Sequence, residues 1–313
     1  MRIYVGVTDP DWFRMLADLR PEEVNFWQPG GKQAFRALRS NELFLFKLHS
    51  PIDRIVGGGF FVRQSFLPVS LAWEAFGRGN GANDVSELKR RLYRYRRTDP
   101  GAEPDPSIGC IVIAEPFFFP QDQWIPAPES WKKNIVQGKT YDTETSEGWQ
   151  LLRDVEQRLH ASQGDVATPT EMVLEGSGDE RFGTQRLITP RLGQGAFRVV
   201  VMEAYQRRCA ITGEKTLPVL DASHIKPYAL EGPHSVANGV FLRQDFHTLF
   251  DRGYVTINED FRVEISRRIK EDFGNGREYY AIHGKPLAIL PKAYGERPAR
   301  EYLRWHNEAV YLG

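Results

Sequence analysis

Three short blocks in the C-terminal third of this chain leave few folds open: Cys209-Ala-Ile-Thr-Gly213, the stretch from Leu220 to Pro227, and the stretch from Asn238 to His247. Residues 218–223 have the short, partly β-branched character of a strand, and Pro227 stops it. Asn238-Gly239 is a turn dipeptide, and Val240-Phe-Leu242 reads as a second short strand. From Asp245 to Phe250 the spacing is helical, with Phe246, Leu249 and Phe250 on one side. Asp251-Arg-Gly253 ends that helix, because glycine suits a helix C-terminus. Strand, turn, strand and helix in so few residues place His224, Asn238 and His247 on three successive elements of one small unit.

Two histidines and an asparagine in such a unit are groups that the hydrolysis of a phosphodiester can use. That reaction needs a deprotonated water, charge neutralisation on the phosphate and stabilisation of the departing 3′ oxygen. A neutral histidine can take the proton from water near pH 7, and a divalent ion can supply the rest. The blocks resemble the HNH endonuclease family, in the branch written C-x-x-T-G, A-x-H-I-x-P and N-G-x-x-L-x-x-x-x-H-x-L-F-D. The resemblance runs from about Phe197 to Tyr254, and Trp305-His306 fits the same branch. It implies a two-stranded ribbon followed by a helix around a metal, a ββα-metal domain. By position it implies that His224 is the general base, that His247 is a metal ligand, and that Asn238 pins the loop between them. The implied cofactor is a divalent ion, Mg2+ or Mn2+.

Two departures from the family pattern carry expectations of their own. Many HNH proteins hold a structural zinc with two Cys-x-x-Cys pairs. Here Thr212, Arg243 and Phe246 stand where three of those cysteines would be, and the chain has only Cys110 and Cys209. A four-thiolate site is therefore impossible, no structural zinc is expected, and apolar packing must hold the corner. The residue before the first histidine is often a metal-binding Asp or His in the family. Here it is Ser223, a poor ligand. Asp221, two residues further back, would need a bulge or a water to reach the ion, so the second ligand stays open between these two. His234, in the loop before Asn238, reads as a solvated side chain or as a phosphate contact.

At 313 residues the chain has room for about two domains. Apolar runs are too short to span a bilayer, so no membrane association is expected. The N-terminus reads as a strand without the layout of a signal peptide, and two cysteines without a framework fit a reducing cytoplasm. Lys plus Arg and Asp plus Glu both total 41, which argues against a uniformly basic nucleic-acid coat but leaves room for local basic faces. One runs from Lys89 to Arg97 with tyrosines interleaved. It reads equally as a DNA contact or as the solvated side of an amphipathic helix whose Leu88, Leu92 and Tyr95 point inward. Arg191, Arg198, Arg207, Arg208 and Lys226 border the histidine motif and are candidates for phosphate contact.

The first 128 residues read as one mixed domain with many short strands: residues 3–7, 42–49, 54–62 and 108–114, with a helix beginning at Pro10. Gly57-Gly-Gly59 inside a strand marks a bulge or a close backbone approach. The layout from Val24 through Phe60 resembles the PUA superfamily, which includes the EVE, YTH, ASCH and SRA domains. The resemblance implies a curved β-barrel with helices that reads a modified base flipped into an aromatic pocket. Trp27, Trp73 and Phe76 are the candidate rings, and Asn25 and Asn80 the candidate polar partners. Each ring reads alternatively as ordinary core. Residues 129–195 read as a connecting helix (149–159) and a Gly-, Thr- and Pro-rich linker from Gly164. Residues 196–313 form the nuclease domain, opened by a helix over 197–208.

The sequence thus points to an α+β chain of two domains, a modified-base reader joined to an HNH cutter. Its partner is double-stranded DNA carrying a modified base, and it works as a homodimer, because cutting both strands needs two sites. Two alternatives remain. The front half is a general DNA-binding or effector-sensing module beside an active nuclease, or the HNH unit is inactive and the protein only binds nucleic acid.

Overall fold

A computed structural model of the protein describes residues 1–30, 33–99, 103–162 and 191–313. The expected linker falls largely on residues 163–190, outside the described residues. The chain divides into two compact units, Met1–Arg191 and Leu192–Gly313. Among the described residues no helix is long and apolar enough to cross a membrane.

In the first unit the elements run β1 (Arg2–Thr8), α1 (Pro10–Leu19), β2 (Glu23–Gln28), β3 (Leu43–Leu48), β4 (Arg54–Pro68), α2 (Val69–Phe76), α3 (Val85–Arg96), β5 (Ser107–Phe118), β6 (Ile125–Pro126), β7 (Gly138–Asp142) and α4 (Ser146–Ser162). The seven strands make one mixed sheet in the order β2-β5-β4-β3-β1-β7, with β6 paired to β4. The pairing runs as an open path from β2 to β7 among the described residues. Successive strand residues point to opposite faces, and β3 shows the consequence. Phe44, Phe46 and Leu48 join Trp12, Phe13 and Leu16 of α1 in one apolar cluster. Leu43 and Leu45 join Ile3, Val5 and Leu151 and Val155 of α4 in a second. Burying each such side chain contributes about 1.5–3 kcal/mol, so both faces of the sheet act as core.

The glycine triplet has a mechanical cause. The register of β4 against β5 shifts between Gly58 and Phe60. A Cβ on Gly57 would sit 2.3 Å from the Phe117 carbonyl oxygen, and one on Gly59 would sit 2.5 Å from Ile113. The glycines admit the neighbouring strand at the bulge. Residues 138–142 and 146–162, expected to connect the halves, instead extend the sheet and cover its second face. β7 pairs antiparallel with β1, and α4 buries Leu151 and Val155. The expected boundary at 128 therefore falls inside a compact unit, because the apolar stripe of α4 finds its partner on the sheet.

The second unit runs α5 (Gln194–Ala204), β8 (Leu220–His224), β9 (Gly239–Arg243), α6 (Gln244–Asp251), β10 (Val255–Ile257), β11 (Val263–Ile265), α7 (Arg268–Phe273), α8 (Arg277–Tyr280) and α9 (Arg300–Ala309). β8 and β9 form an antiparallel ribbon in which His224 pairs with Gly239. α5 ends at Ala204, four residues short of the expected Arg208, where Gln206 and Arg207 turn left-handed at φ 55° and 58°. α5 packs closely on the ribbon: a Cβ on Gly239 would lie 2.5 Å from Val201 and 3.0 Å from Phe197. Phe197, Tyr205, Phe241, Phe250 and Leu303 are fully buried around it.

Candidate functional site

The ribbon and α6 bring the motif residues together through the alternation of β8. Ser223 meets α6, Asp221 lies between Arg198 of α5 and His247 of α6, and His224 lies on Phe197 of α5. The Ser223 hydroxyl donates to Oδ1 of Asp251 at 3.2 Å, and Oδ2 of Asp251 lies 3.2 Å from Nε2 of His247. The other nitrogen of His247, Nδ1, is 3.9 Å from Asp221, too long for a hydrogen bond and close enough for charge to act. Asp221 is itself paired to Arg198 at 3.1 Å. Burial alone would depress the pKa of His247, but the hydrogen bond and charge of Asp251, with the charge of Asp221, outweigh it and raise the pKa.

His224 lies flat against Phe197, ring centroids 3.8 Å apart and planes 11° from parallel. Its Nε2 is 3.0 Å from Nδ1 of His234. Desolvation first, and the neighbouring His234 second, push its pKa down to about 4. It is therefore neutral across the physiological range. His234 is held in turn by Tyr228, stacked at 4.4 Å. Asn238 is fully buried. Its Oδ1 accepts from the backbone N–H of Lys226 at 2.9 Å, and its Nδ2 donates to the carbonyls of Lys226 and Pro233 at 2.9 and 3.0 Å. One side chain thus ties both ends of the loop that carries His234. The turn expected at Asn238-Gly239 is a short 3-10 turn over Val236–Asn238, and the asparagine faces the interior.

Which groups fit a divalent cation follows from this geometry. Nε2 of His247, the carboxylate of Asp251 and the Ser223 hydroxyl converge, and the Asp251 side chain is 56% exposed. One imidazole, one carboxylate and one hydroxyl are donors suited to a hard or borderline ion that keeps several waters. Among the described residues no three His, Cys, Asp or Glu side chains converge as a metal cluster. The choice left open between Ser223 and Asp221 meets two different placements, Ser223 on the side of the His247–Asp251 pair and Asp221 on the other. Asp221 sits on the Nδ1 side of His247 and is neutralised by Arg198, and Ser223 is buried with its hydroxyl on Asp251. Asp251 is the group that sequence reasoning missed. The signal was present in His-Thr-Leu-Phe-Asp, because residues four apart share one face of a helix.

The four zinc-type positions also meet. Sγ of Cys209 accepts from the backbone N–H groups of Thr212 at 3.5 Å and Arg243 at 3.3 Å. The Arg243 guanidinium lies 5.1 Å over the Phe246 ring and forks onto Asp245 with two bonds of 2.7 Å. Side chains fill the corner directly. Of the candidate phosphate contacts, Arg191 and Arg208 are exposed, Lys226 is partly so, and Arg207 is paired to Glu203 at 2.6 Å.

His306, from the Trp305-His306 pair, has a different place. It is 2% exposed, stacked on Phe250 at 3.8 Å, and holds Thr256 Oγ1 at 2.8 Å and the Phe250 carbonyl at 3.1 Å. A carbonyl can only accept, so Nε2 carries the proton and Nδ1 accepts from the threonine hydroxyl. Burial lowers its pKa to about 4.

In the first unit, Asn25 and Asn80 are fully buried and bound to each other, Nδ2 of Asn25 to Oδ1 of Asn80 at 2.9 Å. Asn80 also donates to the carbonyls of Ala72 and Gly77 at 3.1 and 2.8 Å. Trp27 donates to the Asn80 carbonyl at 3.0 Å. Phe76 is buried at 8% exposure. These three residues, Asn25, Asn80 and Phe76, therefore offer no surface to a base. Trp27 and Trp73 are half-buried. A cleft of about 430 Å³ lies elsewhere, between α1 and α3, lined by Asp11, Arg14, Asp18, Arg78 and Arg91 among others, and by none of the five expected pocket residues.

Residues 209–258 match the HNH endonuclease family. No curated protein matches the chain. Among solved structures, the ASCH protein of Zymomonas mobilis is similar over 48% of this chain and 94% of its own length, at 9% identity and a TM-score of 0.31. The modification-dependent TagI restriction endonuclease is similar over 92% of this chain and 75% of its own, at 14% identity and a TM-score of 0.27.

Proposed function

We propose that this chain, whose residues 209–258 form an HNH endonuclease domain, cuts double-stranded DNA in response to a modified base read by its first unit. The observation that carries the nuclease reading is the pairing of a neutral, half-buried His224 with the His247–Asp251 donor set across one ribbon and one helix. His224 takes a proton from water as the water oxygen attacks phosphorus. The bond from phosphorus to the 3′ oxygen breaks, and that oxygen takes its proton from solvent. His247 and Asp251, with the Ser223 hydroxyl beside them, would hold a divalent cation, which would supply Lewis-acid stabilisation of the phosphate and the leaving oxygen. Asp221, 3.9 Å from Nδ1 of His247, adds negative charge behind that ring without a hydrogen bond to it. Asn238 keeps the loop closed, so that base and donor set hold their separation. Arg208 and Lys226 supply phosphate contacts that position the backbone without reading sequence.

Specificity then has to come from the first unit. What supports a base reader there is a separate two-sided core with Trp27, on β2, and Trp73, on α2, left half-buried. One observation favours the second reading, a general DNA-binding or effector-sensing module: the cleft between α1 and α3 is lined by charged side chains and no aromatic ring. A homodimer that cuts both strands follows from either reading.

Cleavage of paired duplexes, identical but for one modified cytosine, with Mg2+ or Mn2+ separates the readings. The expected result is cutting of the modified duplex alone, abolished by chelator without melting the protein. Equal cutting of both duplexes leaves the second reading standing. Binding without cutting at any ion leaves an inactive nucleic-acid binder.

A further inference from the structure

We infer that His234 is the positioning residue of the base: by accepting a hydrogen bond at Nδ1 it fixes the tautomer of His224 and leaves Nδ1 of His224 as the atom that takes the proton from water. The inference rests on the reading of His224 as the base. A neutral imidazole has one nitrogen that donates and one that accepts. Nε2 of His224 faces Nδ1 of His234 at 3.0 Å, so one proton lies between the two rings. If His234 owned it, the proton of His224 would sit on Nδ1, and His224 would have no lone pair for water. If His224 owns it, Nδ1 is the acceptor. Once His224 has taken the second proton, its Nε2–H still points at an acceptor, so the imidazolium that forms is stabilised where it forms. A misassigned tautomer is costly for a general base, because the lone pair then points away from the reacting water.

The packing holds His234 to this task. Tyr228 stacks on one side of its ring at 4.4 Å and 27°, and the edge of Phe197 closes on it at 5.6 Å. Phe197 is also the ring against which His224 lies. The loop that carries both His234 and Tyr228 is tied at its ends by Asn238. Asparagine, base and positioning histidine therefore form one connected set. In the sequence His234 reads only as a solvated side chain or a phosphate contact, because the ring contact spans ten residues of loop.

The test uses the full chain, Mn2+ at saturation, and the modified duplex that the parent cuts fastest. His234→Phe keeps a flat ring against Tyr228 but removes the acceptor. His234→Asn places Oδ1 near the position of Nδ1 and restores it. The expected outcome is a 10- to 100-fold lower kcat for His234→Phe with KM for DNA unchanged, and a rate within about threefold of the parent for His234→Asn. Parent-like kcat in His234→Phe overturns the inference. So does an equal loss in both variants, which marks a packing role, and so does a rise in KM alone, which marks a phosphate contact. His224→Ala run alongside separates the two levels: activity retained there sinks the base reading itself, whereas a dead His224→Ala with an intact His234→Phe sinks only the positioning role.

Discussion

Two histidines of the second unit are built alike and do different things. His224 lies on Phe197 at the junction of α5 and β8, and His306 lies on Phe250 between α9 and α6. In both the ring centroids are 3.8 Å apart and nearly parallel, and in both burial pushes the pKa down to about 4. Burial therefore sets protonation state, not role. What differs is the second nitrogen. His306 spends both, on Thr256 and on the Phe250 carbonyl, and is closed to solvent. His224 spends Nε2 on His234, is only half-buried, and its Nδ1 makes no hydrogen bond among the described residues. A neutral histidine with one open nitrogen can act on water. One with both nitrogens satisfied is a fastener, here between the C-terminal helix and the end of the helix that carries His247 and Asp251.

That contrast can be broken at three points. Replacing His224 by Ala should lower the single-turnover cleavage rate by two to four orders of magnitude, about 3–5 kcal/mol of transition-state stabilisation, with DNA binding largely kept. A His224→Ala protein that cuts at the parent rate would reassign the base. His306→Ala should act on stability instead. It removes a buried ring and leaves Thr256 and the Phe250 carbonyl short of a partner, a loss of about 2–4 kcal/mol in the denaturant unfolding of the second unit. The rate per folded molecule should stay within severalfold, and a catalytic loss like that of His224→Ala would erase the distinction drawn here. Asp251→Ala should raise the Mn2+ concentration needed for half-maximal cleavage by about 10- to 100-fold. The same titration on Asp221→Asn should move less, because Asp221 reaches only the far nitrogen of His247 at 3.9 Å; equal shifts would restore Asp221 as a ligand.

Local signals made much of the second unit legible. A short β-branched run, a proline stop and an apolar stripe at helical spacing gave β8, β9 and α6 to within two residues. Asn238 was legible as a loop residue, though its inward side chain was not, because its bonds run to Lys226 twelve positions away. Asp251 was masked by a second, sufficient reading as a helix end. The contact between His224 and His234 depends on how a ten-residue loop folds back, which no periodicity encodes. In the first unit the strand pattern and the glycine bulge were visible. The packing of α4 was not, since its stripe fits a connecting helix as well as one docked on a sheet. The buried pair Asn25, on β2, and Asn80, in the 3-10 turn after α2, read as pocket polar groups because sequence alone does not say which way a polar side chain faces.

The pH dependence of single-turnover cleavage at saturating divalent ion tests the role given to His224 most directly. A base with a depressed pKa is neutral above that value and is lost only as the pH falls through it. The expected rate is therefore level from about pH 8 down through the ordinary histidine range near 6.5, and falls only as the pH approaches about 4. A cation bound beside His224 would lower the pKa further and leave the prediction unchanged in sign. At His247, whose pKa is raised, protons compete with the ion for the ring, so its effect should appear as a larger metal requirement at low pH and disappear at saturation. A rate that follows a single protonation with a midpoint near 6.5 at saturating ion would contradict the account, because the group that takes the proton from water would then not be the depressed His224.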